Sequence, residues 1–392
     1  METLFKGGLV FDGKSERLEK TAVLIDGGRI KKVAAVDEFT GFQGRIVDTT
    51  GATLLPGLGD CHVHLCYQGT NDPSTTLSKM LPGEIAMKAL ENAQTSLKRG
   101  ITRLRDCGGK DYLEFAARDA IKKGIFKGPH IHASGRMICM TGGHGNRWGR
   151  IADGVDEVIK AVREQIHAGC DMVKIMATGG VMTPGVDPED AHYTAPEMKA
   201  GITEAHRFHR KTASHAQGME GILNAVRGGI DSIEHGIFMD DVCINEMLAA
   251  GTYLVPTLSA LKNILNNEDG GIPDFIMEKS KRITGTHQKS MMAFYRAGGK
   301  MALGTDAGTP FNLHGENLME LAYMVECGIT ETDALRAGCF NTADLMGLED
   351  QGIIKDGALA DLLLVKGDPT RDIMAVADYN NHMAVYKAGE MV

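Results

Sequence analysis

The stretch "LLPGLGDCHVHL", Leu54–Leu65, ends an apolar run on two histidines one residue apart. On a strand, positions i and i+2 share a face and lie about 7 Å apart along it. His62 and His64 therefore aim two ring nitrogens at one region, with Asp60 on the same side. Such a pair is also compatible with a satisfied polar core. The reading turns on whether the rest of the chain supplies further ligands at equivalent places.

The middle of the chain has the pattern to do so. Strand candidates fall at Gly57–His64, Thr102–Asp106, His130–Gly135, Met172–Met176, Thr212–His215, Ser232–His235, Thr252–Pro256 and Met301–Asp306. Helical stretches lie between them, among them Glu84–Arg99, Leu113–Lys123, Gly154–Ala168, Ala195–His209, Gly218–Gly228 and Asp241–Ala250. Gly100, Gly124, Gly169 and Gly251 fit helix C-caps, where a left-handed residue closes the last turn. This alternation predicts an α/β fold, a (β/α)₈ TIM barrel over residues 55–352, rather than an open doubly wound sheet. No Gly-x-Gly-x-x-Gly follows an early strand, so dinucleotide binding has little support.

Residues 1–54 and 353–392 have another texture, of short strands and tight turns. Asp-Gly at Asp12 and at Asp26 are hairpin signals. The same character returns in "GALADLLLVKGDP" and "HMAVYKAGEMV". Isolated hairpins are marginal in water, so the two ends are expected to pair into one small sheet domain.

Composition narrows the function classes. Of 392 residues, 43% are hydrophobic and 24% charged, with a net charge of −9, which reads as a soluble globular chain and argues against a nucleic-acid binder. The densest basic runs, "KKG" at Lys122 and "KSKR" at Lys279, are expected to be solvated helix faces. "METLFKGGLVFDGK" lacks the charged and apolar regions of a signal peptide. No apolar run approaches the roughly 18–20 residues of a membrane span. Eight cysteines without a C-x-x-C pair read as free thiols of a reducing compartment, with cytoplasm as the expected location.

In a barrel, reactive side chains sit at the C-terminal ends of the strands. Those ends carry His62 and His64, Lys174 in "DMVKIMATGG", His215 in "TASHAQG", His235 in "DSIEHG" and Asp306 in "LGTDAGTP". His167, His206, His209 and His287 lie on predicted helices and are expected at the surface. Four strand-end histidines and an aspartate converging on one mouth read as a metal site. Their nitrogen and oxygen donors suit Zn²⁺, with Mn²⁺, Fe²⁺ or Co²⁺ open. Lys174 stands apart, because an ammonium there would repel a metal and be costly to bury. A CO₂-derived carbamate on Lys174 would make it an anionic bridge between two metals; a pair with Asp171 or Asp187 is the alternative.

"PGLGDCHVHL", the lysine of "DMVKIM", "SHA", "IEHG" and "GTDAG" resemble the amidohydrolase superfamily. "TGGHG" (Thr141–Gly145) and "VKIMATGGVMTPG" narrow the resemblance to the imidazolonepropionase-related branch that includes prolidase-like metallodipeptidases. The resemblance covers nearly the whole chain and implies a composite β-sandwich made from both ends. It implies that His62, His64 and Asp306 hold one divalent metal, that His215 and His235 hold a second, and that carbamylated Lys174 bridges them. A hydroxide shared by the two would attack a carbonyl carbon. Asp306 would take its proton and pass it to the departing nitrogen, and His144 would hydrogen-bond the carbonyl oxygen or oxyanion.

The implied activity is hydrolysis of an amide bond, in a dipeptide or an N-acyl amino acid. Cyclic-amide, carbamate, urea or lactone hydrolysis is an alternative, and a non-catalytic assembly protein on the same fold a remote one. Retention of Lys174 leans toward two metals and away from a one-metal imidazolonepropionase type. Candidate substrate contacts are Tyr67, His144, Arg147, Trp148, Tyr193 and His314, with Arg147 or Arg150 suited to a substrate carboxylate. Relatives often carry a substrate-contacting Tyr or His at the second residue after the "SHA" histidine, where this chain has Gln217, a further candidate contact whose amide can still donate a hydrogen bond but which departs from Xaa-Pro specificity. The glycine-rich "TGGHGN" and "ATGGVMTPG" are expected to cover the site. The resemblance also implies a homo-oligomer acting on a small molecule.

Overall fold

The computed structural model describes residues 2–392. Two sheets are built from the chain ends. One runs Arg29–Ala35, Thr21–Asp26, Thr3–Lys6, Arg45–Asp48; the other runs Glu390–Met391, His382–Lys387, Leu362–Lys366, Ala52–Pro56, Leu9–Phe11, Arg17–Leu18. The ends meet where Leu362–Lys366 pairs antiparallel with Ala52–Pro56, in the register Leu362↔Pro56 to Lys366↔Ala52. Phe5, Val23, Ile25, Leu54, Leu362, Leu364 and Tyr386 share one core, so apolar side chains of both sheets and both termini are buried together. The Asp26–Gly27 turn joins Thr21–Asp26 to Arg29–Ala35. At Asp12 the carboxylate accepts the backbone N–H groups of Lys14, Ser15 and Glu16, which closes the second turn.

The strands of the middle of the chain pair in parallel. His130–Ala133, Ile101–Asp106 and Leu58–Val63 form one sheet; Arg150–Ile151, Ile138–Cys139, Met172–Met176, Lys211–Ala216, Ser232–His235 and Tyr253–Val255 form another. Leu58–Val63, Ile101–Asp106 and Met172–Met176 are buried at every position. Near-continuous apolar runs are what a parallel strand covered on both faces requires. Helices Pro82–Lys98, Leu113–Lys122, Val155–Ala168, Ala195–Arg207, Met219–Gly228 and Asp241–Ala250 intervene. Gly169 and Gly251 are their left-handed C-caps, at φ 95° and 71°.

Two expectations need correction. Met301–Asp306 is not a continuous strand. It touches its neighbours through single bridges, Met301 with Leu254 and Ala307 with Val63, and through Ala302 N–H to Leu254 O and Cys61 N–H to Leu303 O. At its end Asp306 takes a left-handed backbone (φ 63°), uncommon for a non-glycine residue. His287 is buried, not surface-exposed: it lies on the inner face of the long helix Asp274–Arg296, which packs against Leu258–Asn266 and the loop bearing Val181 and Met182. Among the described residues no helix is long and apolar enough to cross a membrane.

Candidate metal centre

The strand ends converge. His62, His64, Lys174, His215, His235 and Asp306 all line one cavity of about 450 Å³, together with His144, Tyr67, Arg147 and Trp148. The histidine rings form an arc. Centroid separations run 5.4 Å from His64 to His62, 5.1 Å to His235, 4.6 Å to His215 and 4.3 Å to His144.

Four of these rings are fixed from behind by one nitrogen. His62 Nδ1 lies 2.8 Å from Glu234 Oε2, His64 Nδ1 2.8 Å from Gly108 O, His215 Nε2 2.9 Å from Gly179 O and His235 Nδ1 2.6 Å from Thr257 Oγ1. A ring that donates one N–H outward keeps the other nitrogen's lone pair for the cavity. His62 Nε2 and His64 Nε2 face Asp306 Oδ1, at 3.4 and 3.1 Å. The ligating atoms of His62, His235 and Asp306 lie within 4.8 Å of one another, close enough to hold one metal ion.

Burial favours neutral imidazoles here. It holds His62 and His215 well below the ordinary histidine value and pushes His235 and His144 down to about 3. At His64 burial works the same way, but the hydrogen bond and charge of Asp306 outweigh it and raise the value. Asp306 resists the upward push of burial: the His62 charge and the His64 hydrogen bond hold it well below the usual carboxylate range. Imidazole nitrogens beside a carboxylate are a donor set for a cation.

Lys174 sits within this set, 1% exposed, and its Nζ has no hydrogen-bond partner among the described residues. The alternative partners are engaged elsewhere. Asp171 takes Arg118 at 2.8 Å and Asp187 takes Arg282 at 2.7 Å. An ammonium buried without a counter-charge or acceptor is expensive. Converted to a carbamate, the same side chain would bring a negative charge to the histidines and Asp306, so the residues present fit a bound cation.

Backbone conformation supports the geometry. His235 (φ 72°) and Asp306 (φ 63°) are both left-handed, an uncommon state for such residues and one found at functional sites. Gly304 permits the approach of its segment: a Cβ there would lie 2.2 Å from Val255 Cγ1 and 2.9 Å from His62 Cβ. Asp60 does not face the cavity. It is buried beneath, accepting His62 N–H, Thr305 Oγ1–H and Asn317 Nδ2–H, and so ties the histidine strand to the segment carrying Asp306.

The proposed substrate contacts divide. Arg147, on the rim, forms no ion pair with any described carboxylate and donates to Ser74 Oγ at 3.3 Å. Arg150 is held by Glu157 and Glu164 and is not in the cavity wall. Tyr193 is not in the wall either: it is 2% exposed and donates its hydroxyl to Ala152 O at 2.8 Å. Gln217, buried, and His314, half-buried, lie outside the lining, Gln217 with an unpartnered Oε1 and His314 with Nε2 3.2 Å from His64 O. Glu234 was legible in "IEHG" but not singled out, although it anchors His62 and pairs with Arg105 at 2.7 Å. Thr183, which meets His144 Nδ1 at 2.9 Å, had no signal beyond its loop. The apolar wall of Met137, Met176, Met182, Phe275 and Ile276 had none either.

Residues 53–392 match the amidohydrolase family. The chain belongs to that family. Ochratoxinase of Aspergillus niger is 29% identical over 425 residues, covering 99% of this chain and 86% of that one. The structure of a Xaa-Pro dipeptidase with methionine bound in its active site matches with a TM-score of 0.91 at 32% identity, over the full length of both chains. That of a prolidase complexed with N-methylphosphonate-L-proline matches with a TM-score of 0.91 at 30% identity, over 100% of this chain and 99% of that chain. This amidohydrolase thus shares its whole fold with enzymes of the prolidase-like branch.

Proposed function

We propose that this amidohydrolase is a metal-dependent hydrolase of amide bonds, acting as a dipeptidase or N-acyl amino acid hydrolase. The observation that carries the reading is the buried, unpartnered Nζ of Lys174 among four anchored histidines and Asp306. His62, His64 and Asp306 would hold one divalent cation, His215 and His235 another, with carbamylated Lys174 between them; zinc suits the donors. When bound, such cations supply a water-derived nucleophile at neutral pH and Lewis acidity toward a carbonyl oxygen.

The chain's own residues do the rest. Asp306, ionised and at the centre of the cavity, accepts the nucleophile's proton and returns it to the leaving nitrogen. His144, neutral, donates a hydrogen bond to the carbonyl oxygen, where negative charge develops. The apolar wall of Met137, Met176, Phe275 and Ile276 receives a hydrophobic substrate group, and Arg147 at the rim receives a carboxylate. Support for the substrate class comes from the relatives, two of which are prolidase-type enzymes and one an ochratoxinase.

We assign the parallel strands with Met301–Ala307 to a (β/α)₈ barrel over residues 55–352. Residues 1–54 and 353–392 form one β-sandwich. The test is a panel of dipeptides and N-acyl amino acids given to protein produced with zinc and bicarbonate. Release of free amino acid is expected, with two metals bound per chain. Hydrolysis confined to lactones or ureas would overturn the substrate class, and a metal-loaded protein inert on every amide would overturn the reading.

A further inference from the structure

Segment Gly180–Val186 covers the cavity, presenting Met182, Thr183 and Pro184 to it. Among the described residues no backbone–backbone hydrogen bond ties these seven residues to the rest of the fold, although the flanks are tied by Gly179 N–H to Asp190 O and by His192 N–H to Ala177 O. A covering loop without backbone pairing needs another restraint to stay in place. Val181 and Met182 pack into the hydrophobic cluster of helix Asp274–Arg296, and the polar restraint comes from Lys279, in the basic run expected to be solvated. Its ammonium donates to three carbonyls of this one segment: Val186 O at 2.6 Å, Thr183 O at 2.8 Å and Gly180 O at 3.3 Å.

Two of those three residues are the ones that touch His144. Thr183 Oγ1 lies 2.9 Å from His144 Nδ1. Gly180 lies so close to the ring that a Cβ would fall 2.6 Å from Cε1 and 2.7 Å from Nδ1. If the Thr183 hydroxyl donates to Nδ1, the neutral ring must carry its proton on Nε2, the form that can donate to a substrate oxygen. The grip on the loop thus reaches the ring through both contacts.

We propose that Lys279 is a positioning residue: by holding the carbonyls of Gly180 and Thr183 it fixes the orientation and tautomer of His144. Its kinetic consequence rests on the hydrolase reading above; its structural consequence does not. Arg282, one turn on, makes a bidentate pair with Asp187 at 2.7 Å on the outer side of the same loop and provides the control.

The test combines a double-mutant cycle with a spectroscopic measurement on metal-loaded protein. Lys279→Met should lower kcat on the order of tenfold and leave KM within about threefold, a smaller loss than the roughly 10²–10³-fold expected for His144→Asn. In the His144→Asn background, Lys279→Met should cost nothing further within about twofold, because both act through one ring. Arg282→Gln should leave kcat within about threefold, since it grips neither Gly180 nor Thr183. The ¹⁵N spectrum of histidine-labelled protein, with His144 assigned by its disappearance in His144→Asn, should show an Nε2–H ring in the wild type and tautomer averaging in Lys279→Met. Full additivity in the cycle, an equal effect of Arg282→Gln, or an unchanged His144 spectrum would each overturn the proposal. A spectral change in a protein that hydrolyses nothing would instead overturn the hydrolase reading and leave the latch standing.

Discussion

The floor and the roof of the cavity are built by different means. On the floor, His62, His64, Lys174, His215, His235 and Asp306 rise from buried parallel strands or the segment beside them, and four of the rings are held from behind by a carboxylate, a carbonyl or a hydroxyl. On the roof, Met182, Thr183, Pro184, Phe275 and Ile276 belong to a loop and a helix that pack in a separate hydrophobic cluster. Side-chain cations, Lys279 and Arg282, hold that loop in place. A rigid floor suits chemistry that needs fixed distances, and an adaptable roof suits the selection of substrates. The comparison predicts that floor substitutions lower kcat and metal content and that substitutions of roof side chains facing the substrate alter KM, whereas substitution of Lys279, which acts through His144, lowers kcat.

The largest effect is expected at Lys174. Lys174→Met keeps the apolar stem and volume but can form no carbamate, so under the proposed assignment two cations would lose their shared anion. The variant should bind no more than one metal and lose about 10³-fold or more in kcat/KM, as happens when a member of a cooperating catalytic unit is removed. Metal analysis beside steady-state kinetics checks this. A variant with full metal content and activity would make Lys174 a structural residue.

The same division explains what the sequence disclosed. Each floor residue closes or follows an apolar stretch and precedes a glycine- or alanine-rich loop, so strand periodicity points to it. The β-rich ends were legible for a similar reason, through Asp-Gly turns and alternating patterns. Glu234 was obscured because a carboxylate one residue before a strand-end histidine looks like part of that motif; only the fold brings it behind His62. His287 was misread because it lies on a helix that itself packs as a buried element of the roof. Lys279 was hidden by its neighbours: Lys281 and Arg282 pair with exposed carboxylates, as a solvated run should, while Lys279 turns inward to carbonyls more than ninety residues away in sequence. Roof contacts of this kind follow no local period.

Glu234→Gln tests the second tier of the floor. The amide keeps the shape but removes the charge that anchors His62 Nδ1–H and balances Arg105. Loss of such an outer partner typically costs 10–100-fold in metal affinity or activity. Leaving Arg105 buried without its counter-charge should also lower Tm. Titrating kcat/KM against added zinc separates the two effects: recovery at high zinc assigns Glu234 to metal retention, and a deficit that zinc does not repair assigns it to the packing of the floor.

The smallest expected effect belongs to the roof, at Arg147. Its guanidinium is exposed, stacks 5.3 Å from the Trp148 ring and has no carboxylate partner among the described residues. It is therefore available to a ligand without first breaking an ion pair. Arg147→Met preserves much of the apolar contact with Trp148 and removes the charge. KM for substrates with a free carboxylate should rise about tenfold, the low end for a hydrogen bond to a charged group, with kcat unchanged. Amidated analogues should show no difference between variant and wild type. An unchanged kcat would mean binding equally strong in ground and transition states, as expected of a contact remote from the reacting carbonyl. A fall in kcat instead would place Arg147 with the floor in function despite its position on the rim, and the distinction between rigid chemistry and adaptable selection would not hold at this residue.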